Sequence, residues 1–252
     1  FTARDGTTVH GYITIPRNSD GRNLPLIMHP HGGPHGPRDS WGFNPEVQFL
    51  ANRGYAVLQV NFRGSGGYGN AFERKGYQNW GTTMIDDMTD GVEWAVREGI
   101  ADPARVCTYG ASYGGYAALQ SVVREPERYR CTIGYVGVYS LPLMLRDGDI
   151  PRSESGRNYL ARVLPTDAGE QQAQSPAFNV DRINVPVMLV HGERDEVLSP
   201  NDSAMVRSIS GHGDLRVLPN AGHQLNEVQR EMRSLLLDWI PARFADFRGK
   251  LG

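Results

Sequence analysis

The sequence predicts an α/β fold with a mostly parallel sheet covered by helices on both faces. Two observations carry that reading: strand-like runs alternate with amphipathic helical patterns, and Gly, Pro or Asn stands at nearly every boundary between them. Short β-branched or aromatic runs place strands at Val9–Ile15, Leu24–His29, Ala56–Phe62, Val106–Tyr109, Cys131–Val136, Val187–His191 and Leu215–Leu218. Helical patterns fall between them at Pro45–Arg53, Met84–Glu98, Tyr113–Glu125, Pro200–Ser210 and Glu227–Phe247. The last repeats Val228, Met232, Leu235, Leu236, Trp239 and Ile240 at helical spacing, with Pro241 expected as a kink or break. From about residue 139 to 177 the rhythm stops: Pro142, Pro151, Pro165 and Pro176 punctuate a polar stretch too long for an ordinary connection. It reads as a short helical insertion near the C-terminal edge of the sheet. With no internal repeat or linker, residues 1–252 are expected to form one domain.

Composition excludes several classes. The 252 residues carry 26 basic against 28 acidic side chains, for a net charge of −2, and 39% are apolar. Disorder is therefore unexpected, and no basic excess calls for a nucleic-acid partner. No apolar run is long enough for a membrane span. Two cysteines cannot build a disulfide framework or a four-thiolate zinc site. Cys107 and Cys131 lie at or near the starts of two consecutive strands, which leaves open a disulfide, if the protein is exported, or two buried thiols. The first residue is Phe1, which suggests a piece of a longer protein, so the compartment stays open between cytoplasm and periplasm or export.

The most informative segment is Gly110-Ala-Ser112-Tyr-Gly114-Gly115, with a strand before it and a helix after it. A sharp strand-to-helix turn strains the serine backbone and crowds the flanking positions, which is why small residues surround it. It lifts the Ser112 hydroxyl above the sheet edge, beside a helix N-terminus that favours developing negative charge. Ser112 is the candidate nucleophile, and a serine hydroxyl needs a base. Residues just after parallel strands share one edge of the sheet, the edge where ligands bind. Asp195 follows Val187–His191 and His223 follows Leu215–Leu218, giving the order Ser, Asp, His. His212, Asp214 and Asp181 precede their strands, Asp202 falls in a helix start, and His191 reads as packed or hydrogen-bonded structure. Acyl transfer also needs donors for the oxyanion. The Tyr113 backbone N–H is one candidate; the loop Pro30-His-Gly-Gly-Pro-His-Gly36 supplies the other, with Gly33 first and Gly32 or His31 in reserve.

Two patterns point elsewhere. His29, His31 and His35 cluster, but no accompanying ligand motif completes a set, so a structural or oxyanion-loop role is preferred and no metal or cofactor is expected. Gly64-Ser-Gly66-Gly-Tyr-Gly69 fits a dinucleotide fingerprint, with Asp86 lying 20 residues beyond Gly66. Asp86 and Asp87 open a helical segment instead of ending a strand, so a rigid turn is the better account, with Arg63 paired to a carboxylate.

Six segments together resemble the catalytic domain of the prolyl oligopeptidase family, near its acylaminoacyl-peptidase and dipeptidyl-peptidase-like branch. They are Pro30-His-Gly-Gly-Pro-His35, Asn61-Phe-Arg-Gly-Ser-Gly-Gly-Tyr-Gly69, Gly110-Ala-Ser-Tyr-Gly-Gly-Tyr116, Ser175-Pro-Ala-Phe-Asn-Val-Asp-Arg-Ile-Asn-Val-Pro186, His191-Gly-Glu-Arg-Asp195 and Ala221-Gly-His223. The resemblance implies an α/β-hydrolase fold, a serine peptidase acting on short peptides, and a Ser112–Asp195–His223 triad with Gly33 and Tyr113 at the oxyanion. It adds Tyr113, Val138 and Leu198 as candidates for an apolar specificity pocket. Relatives usually carry an N-terminal β-propeller that these residues do not encode, so the chain is expected to be either the catalytic portion of a longer protein or a lone hydrolase. A stand-alone carboxylesterase is the alternative activity, and a non-catalytic binding module is the rival of another class. Substrate side chains are undetermined, and a homo-oligomer remains open.

Overall fold

A computed structural model describes residues 1–197 and 213–248. The expected helix Pro200–Ser210, together with Leu198, Asp202 and His212, lies outside the described residues. All seven expected strands are present: β1 His10–Thr14, β2 Leu24–Met28, β3 Ala56–Asn61, β4 Ala101–Ala111, β5 Cys131–Tyr135, β6 Val187–Gly192 and β7 Gly213–Leu218. They form one sheet in the order β1-β3-β2-β4-β5-β6-β7. Only β1 runs antiparallel to its neighbour; the other pairings are parallel. This is the architecture of the α/β-hydrolase fold.

Strand alternation assigns each side chain to a face. Leu26, Met28, Leu58 and Leu189 pack on one side with α3 (Thr83–Arg97) and α4 (Tyr113–Arg124). Ile27, Val57, Met188 and Val190 pack on the other with α1 (Pro45–Ala51) and the C-terminal helix α8 (Gln229–Arg248). Burial on both faces is why these strands read as continuous apolar runs instead of alternating ones. β4 begins earlier than expected, at Ala101, because that residue pairs with Leu24 before an irregularity restores the register at Val106 and Leu26. Pro241 does not end α8, which continues through it with Trp239 and Ile240 buried. A five-residue helix, α2 (Asn70–Arg74), follows the Gly64–Gly69 turn; it is too short to show a period.

The insertion is helical, with α5 (Leu141–Asp147), α6 (Glu154–Val163) and α7 (Ala168–Ala173) separated by tight turns. Capping sets the starts: Ser140, Ser153 and Asp167 each accept a backbone N–H from the first turn of the helix that follows. Leu141, Met144, Leu160 and Val163 join the core on the α3/α4 side. Polar ties hold its far end: Gln174 accepts the Gly81 N–H at 3.0 Å, and its carbonyl accepts the Tyr116 hydroxyl at 2.6 Å.

Arg63, just after β3, bridges distant segments. Its guanidinium donates from Nη2 to Asp87 Oδ1 at 2.6 Å and from Nε to Asp87 Oδ2 at 2.9 Å, and Nη1 reaches Asp5 at 2.6 Å. The carboxylate expected beside Arg63 is thus Asp87, on the first turns of α3. The Gly64–Gly69 turn packs backbone against backbone, since a Cβ at Gly66 would overlap the Gly36 carbonyl. Cys107 and Cys131 face each other in adjacent parallel strands and are joined in a disulfide, with Cα atoms 4.7 Å apart.

Candidate active site

The turn between β4 and α4 holds Ser112 at φ +55° and ψ −122°, a backbone conformation that side-chain-bearing residues rarely adopt. Two hydrogen bonds fix it there: the Ser112 N–H donates to the Tyr135 carbonyl, and the Ser112 carbonyl accepts the Tyr116 N–H, both at 3.1 Å. The flanking glycines are required by close approach. A Cβ at Gly110 would sit 2.5 Å from the Gly114 carbonyl oxygen, and one at Gly114 would overlap the Pro30 carbonyl. The turn is therefore clamped against the loop that leaves β2. In that loop it is Gly32, the reserve candidate, that lies beside the serine: a Cβ there would stand 3.7 Å from Ser112 Cβ. Gly33, the first candidate, has φ +124° and abuts Pro37. Tyr113 occupies the first position of α4, where a backbone N–H has no intrahelical acceptor.

The loops after β6 and β7 bring Asp195 and His223 together. His223 Nδ1 lies 2.9 Å from Asp195 Oδ2, with the carboxylate fully buried and the imidazole 14% exposed. Asp195 Oδ1 accepts the Val197 N–H at 2.9 Å. The two turns interlock: Arg194 N–H donates to the Ala221 carbonyl at 2.9 Å, and Asn220 N–H to Glu193 Oε2 at 3.0 Å. Gly192 permits this contact, because a Cβ there would press on the Ala221 and Gly222 carbonyls. Asp214, set aside in the sequence, instead accepts the Trp239 indole N–H at 2.9 Å, away from the pair.

Of the pocket candidates, the two described ones, Tyr113 and Val138, are buried. The Tyr113 ring is 1% exposed among Phe62, Trp80 and Tyr116, and its hydroxyl donates to the Trp80 carbonyl at 2.9 Å. Burial pushes that hydroxyl's pKa well above the ordinary tyrosine value. Val138 is 4% exposed in the same core, and Leu198 lies outside the described residues.

The three clustered histidines are spent on scaffolding. His29 Nδ1 donates to the Tyr109 carbonyl at 2.7 Å, and His31 bridges the Gly32 carbonyl and Ser65 Oγ, both at 2.8 Å. His35 Nε2 accepts the Trp80 indole N–H at 3.0 Å while Nδ1 meets the Gly64 carbonyl at 3.2 Å. Burial lowers the pKa of both His31 and His35, favouring neutral rings. Among the described residues no cluster of three or more His, Cys, Asp or Glu could hold a metal ion.

Two features go beyond the sequence reading. One is the partner of His191, read there as packed or hydrogen-bonded structure: its Nε2 lies 3.0 Å from Asp195 Oδ2. A cleft of about 280 Å³, lined in part by Glu46, Phe49, Tyr135, Gln224, Leu225 and Arg233, opens beside the His223 turn. On its floor Glu46 accepts the hydroxyls of Tyr109 and Tyr135. No local motif marks Glu46, because the cleft is made by elements distant in sequence.

Relatives share this arrangement of segments. The chain is 35% identical over 229 residues to dipeptidyl aminopeptidase BIII of Pseudoxanthomonas mexicana, covering 82% of this chain and 31% of that one. It is 30% identical over 227 residues to the acylamino-acid-releasing enzyme of Rattus norvegicus, covering 86% and 31%. A puromycin-hydrolyzing peptidase of Mycobacterium tuberculosis superposes with a TM-score of 0.82 at 26% identity, over 99% of this chain and 38% of that one. The chain thus spans about a third of the length of each curated relative. The family model described as the prolyl oligopeptidase family matches residues 41–246, and with that match the chain belongs to the prolyl oligopeptidase family.

Proposed function

We propose that the chain is the hydrolytic unit of a serine peptidase that cleaves short peptides, of the acylaminoacyl or dipeptidyl type, through Ser112, Asp195 and His223. The observation that carries this reading is the buried Asp195 carboxylate accepting from His223 Nδ1 at 2.9 Å. An ionised carboxylate can only accept, so the proton sits on Nδ1 and the Nε2 lone pair is left to take the serine proton. The strained turn at Ser112 supplies a half-buried alcohol, and the names of the relatives supply the peptide class.

In the first step Ser112 Oγ attacks the scissile carbonyl carbon as His223 Nε2 takes its proton. The C–O bond forms, and the carbonyl electron pair moves onto oxygen. The Tyr113 N–H and a backbone donor of the 31–33 loop, Gly33 or Gly32, stabilise that oxyanion. The His223 imidazolium then protonates the departing amine as the C–N bond breaks. A water molecule, deprotonated by the same imidazole, cleaves the ester and returns Ser112.

The test is hydrolysis of dipeptidyl and N-acylaminoacyl 4-nitroanilides beside a 4-nitrophenyl ester. We expect amide cleavage that falls roughly 10⁴–10⁶-fold in Ser112→Ala and in His223→Ala. Ester turnover with no amide cleavage would contradict the peptidase assignment, and near-wild-type rates in either variant would contradict the triad.

A further inference from the structure

We infer that His191 is a positioning residue for the Asp195 carboxylate; this rests on the triad reading above and names the part that holds its orienting member in place. His191 is the penultimate residue of β6, and its side chain is fully buried. Its Nε2 lies 3.0 Å from Asp195 Oδ2, the same oxygen that accepts from His223 Nδ1 at 2.9 Å. Two imidazoles therefore converge on one carboxylate oxygen, while the other oxygen takes the Val197 N–H at 2.9 Å.

The chemistry of that geometry is specific. The carboxylate has only lone pairs to offer, so the contact requires the His191 proton on Nε2. Oδ2 thus has two ring nitrogens within 3.0 Å, one from His223 and one from His191. With Oδ1 held as well, the carboxylate plane cannot turn about the Cβ–Cγ bond without breaking a hydrogen bond. Turning would carry Oδ2 away from His223 and release that ring from the tautomer and orientation it needs. Interior β6 neighbours such as Leu189 and Val190 are apolar, and an imidazole in their company costs free energy unless its polar atoms find partners. The Asp195 carboxylate gives the Nε2 end of that ring a polar partner. His191 touches neither substrate nor the reacting atoms, and it acts through Asp195.

The decisive comparison is His191→Phe, which keeps the ring volume and removes the donor, against His191→Gln, whose amide N–H can occupy the place of Nε2–H. Both are measured for kcat and KM on a peptide nitroanilide. Both are also followed by proton NMR at the low-field resonance of the His223 Nδ1–H in the Asp195 hydrogen bond. We expect His191→Phe to lose about 10²-fold in kcat with KM little changed, the scale of effect produced by a small misplacement of a catalytic group. Its low-field proton should move or vanish, and His191→Gln should restore both readouts most of the way.

Wild-type kcat with an unmoved proton in His191→Phe would overturn the inference, and so would equal impairment in Phe and Gln variants, which marks a packing role. Should the Phe variant fail to fold, ¹⁵N histidine shifts of the unaltered protein decide. A His191 ring protonated on Nε2 supports the inference, and one protonated on Nδ1 alone overturns it. Asp195→Asn and His223→Ala run alongside. If those two remain active, the triad reading itself fails; if they are inactive while His191→Phe is wild type, only the present inference fails.

Discussion

Burying a carboxylate costs free energy unless donors surround it, and the Asp195 side chain is fully buried with donors on both oxygens. That expense is sensible at a residue proposed to orient an imidazole. Ser112 shows the same logic in backbone terms, because a strained φ persists only where neighbours over-determine it. Gly114 is the neighbour with the least room. Gly114→Ala would drive its Cβ into the Pro30 carbonyl and must part the elbow from the 30–33 loop. We expect a stability loss of about 1–3 kcal/mol, the usual range for overpacking, together with a large fall in kcat. Urea unfolding and nitroanilide kinetics on one preparation check both effects, and a variant unchanged in both would contradict the clamp. At this scale the meeting of Asp195 and His223 was legible, because both follow parallel strands and so come to one edge of the sheet. The sequence was not readable for His191, whose role depends on a side chain reaching across a turn to a partner four positions on. Adjacent glycines leave both Gly32 and Gly33 able to supply the donor, and a Cβ on Gly32 would stand 3.7 Å from Ser112 Cβ.

Among elements, the 30–37 loop depends on neutral histidines. His35 can accept from Trp80 only while Nε2 is unprotonated, and burial holds its pKa and that of His31 below the ordinary range. In the unfolded chain both rings take up protons as the pH falls through about 6.5, whereas in the folded chain they resist. Their contribution to stability is therefore intact above that pH and is lost as the pH falls below it toward the lower folded values. Urea midpoints should drop between pH 7.5 and pH 5.5 in the wild type and drop less in His35→Gln. Equal pH dependence in both proteins would contradict this account of His35. The elements themselves were largely legible: every expected strand exists, and one buried on both faces, such as β6, leaves a near-continuous apolar signature. Their ends were less so, as at β4, where pairing with Leu24 extends the strand through a proline. Pro241 was misleading for a related reason, since the apolar face of α8 is buried and packing overrides the local cost of proline.

Across the whole molecule, the proposed site draws on four parallel strands whose following loops share one edge. β2 brings the glycine loop, β4 the serine, β6 the carboxylate and β7 the imidazole. The Cys107–Cys131 disulfide staples two of the central strands well away from that edge. Linking residues 24 apart in sequence should stabilise the fold by about 3 kcal/mol through the lost entropy of the unfolded chain. Denaturation of the Cys107→Ala/Cys131→Ala variant should show a loss of that order, with catalysis at low temperature preserved; an unchanged midpoint would contradict the staple. None of the described helices is long and apolar enough to cross a membrane. The fold class was legible in the sequence, but the seating of the insertion was not: its docking on Gly81 and Tyr116 joins segments far apart in the chain.

The most direct test of the triad is covalent. After incubation with an organophosphonate, the protein should gain the mass of one adduct, peptide mapping should place it on Ser112, and His223→Ala should label far more slowly. A protein that stays unlabelled, or one labelled at another residue with Ser112 untouched, would contradict the account.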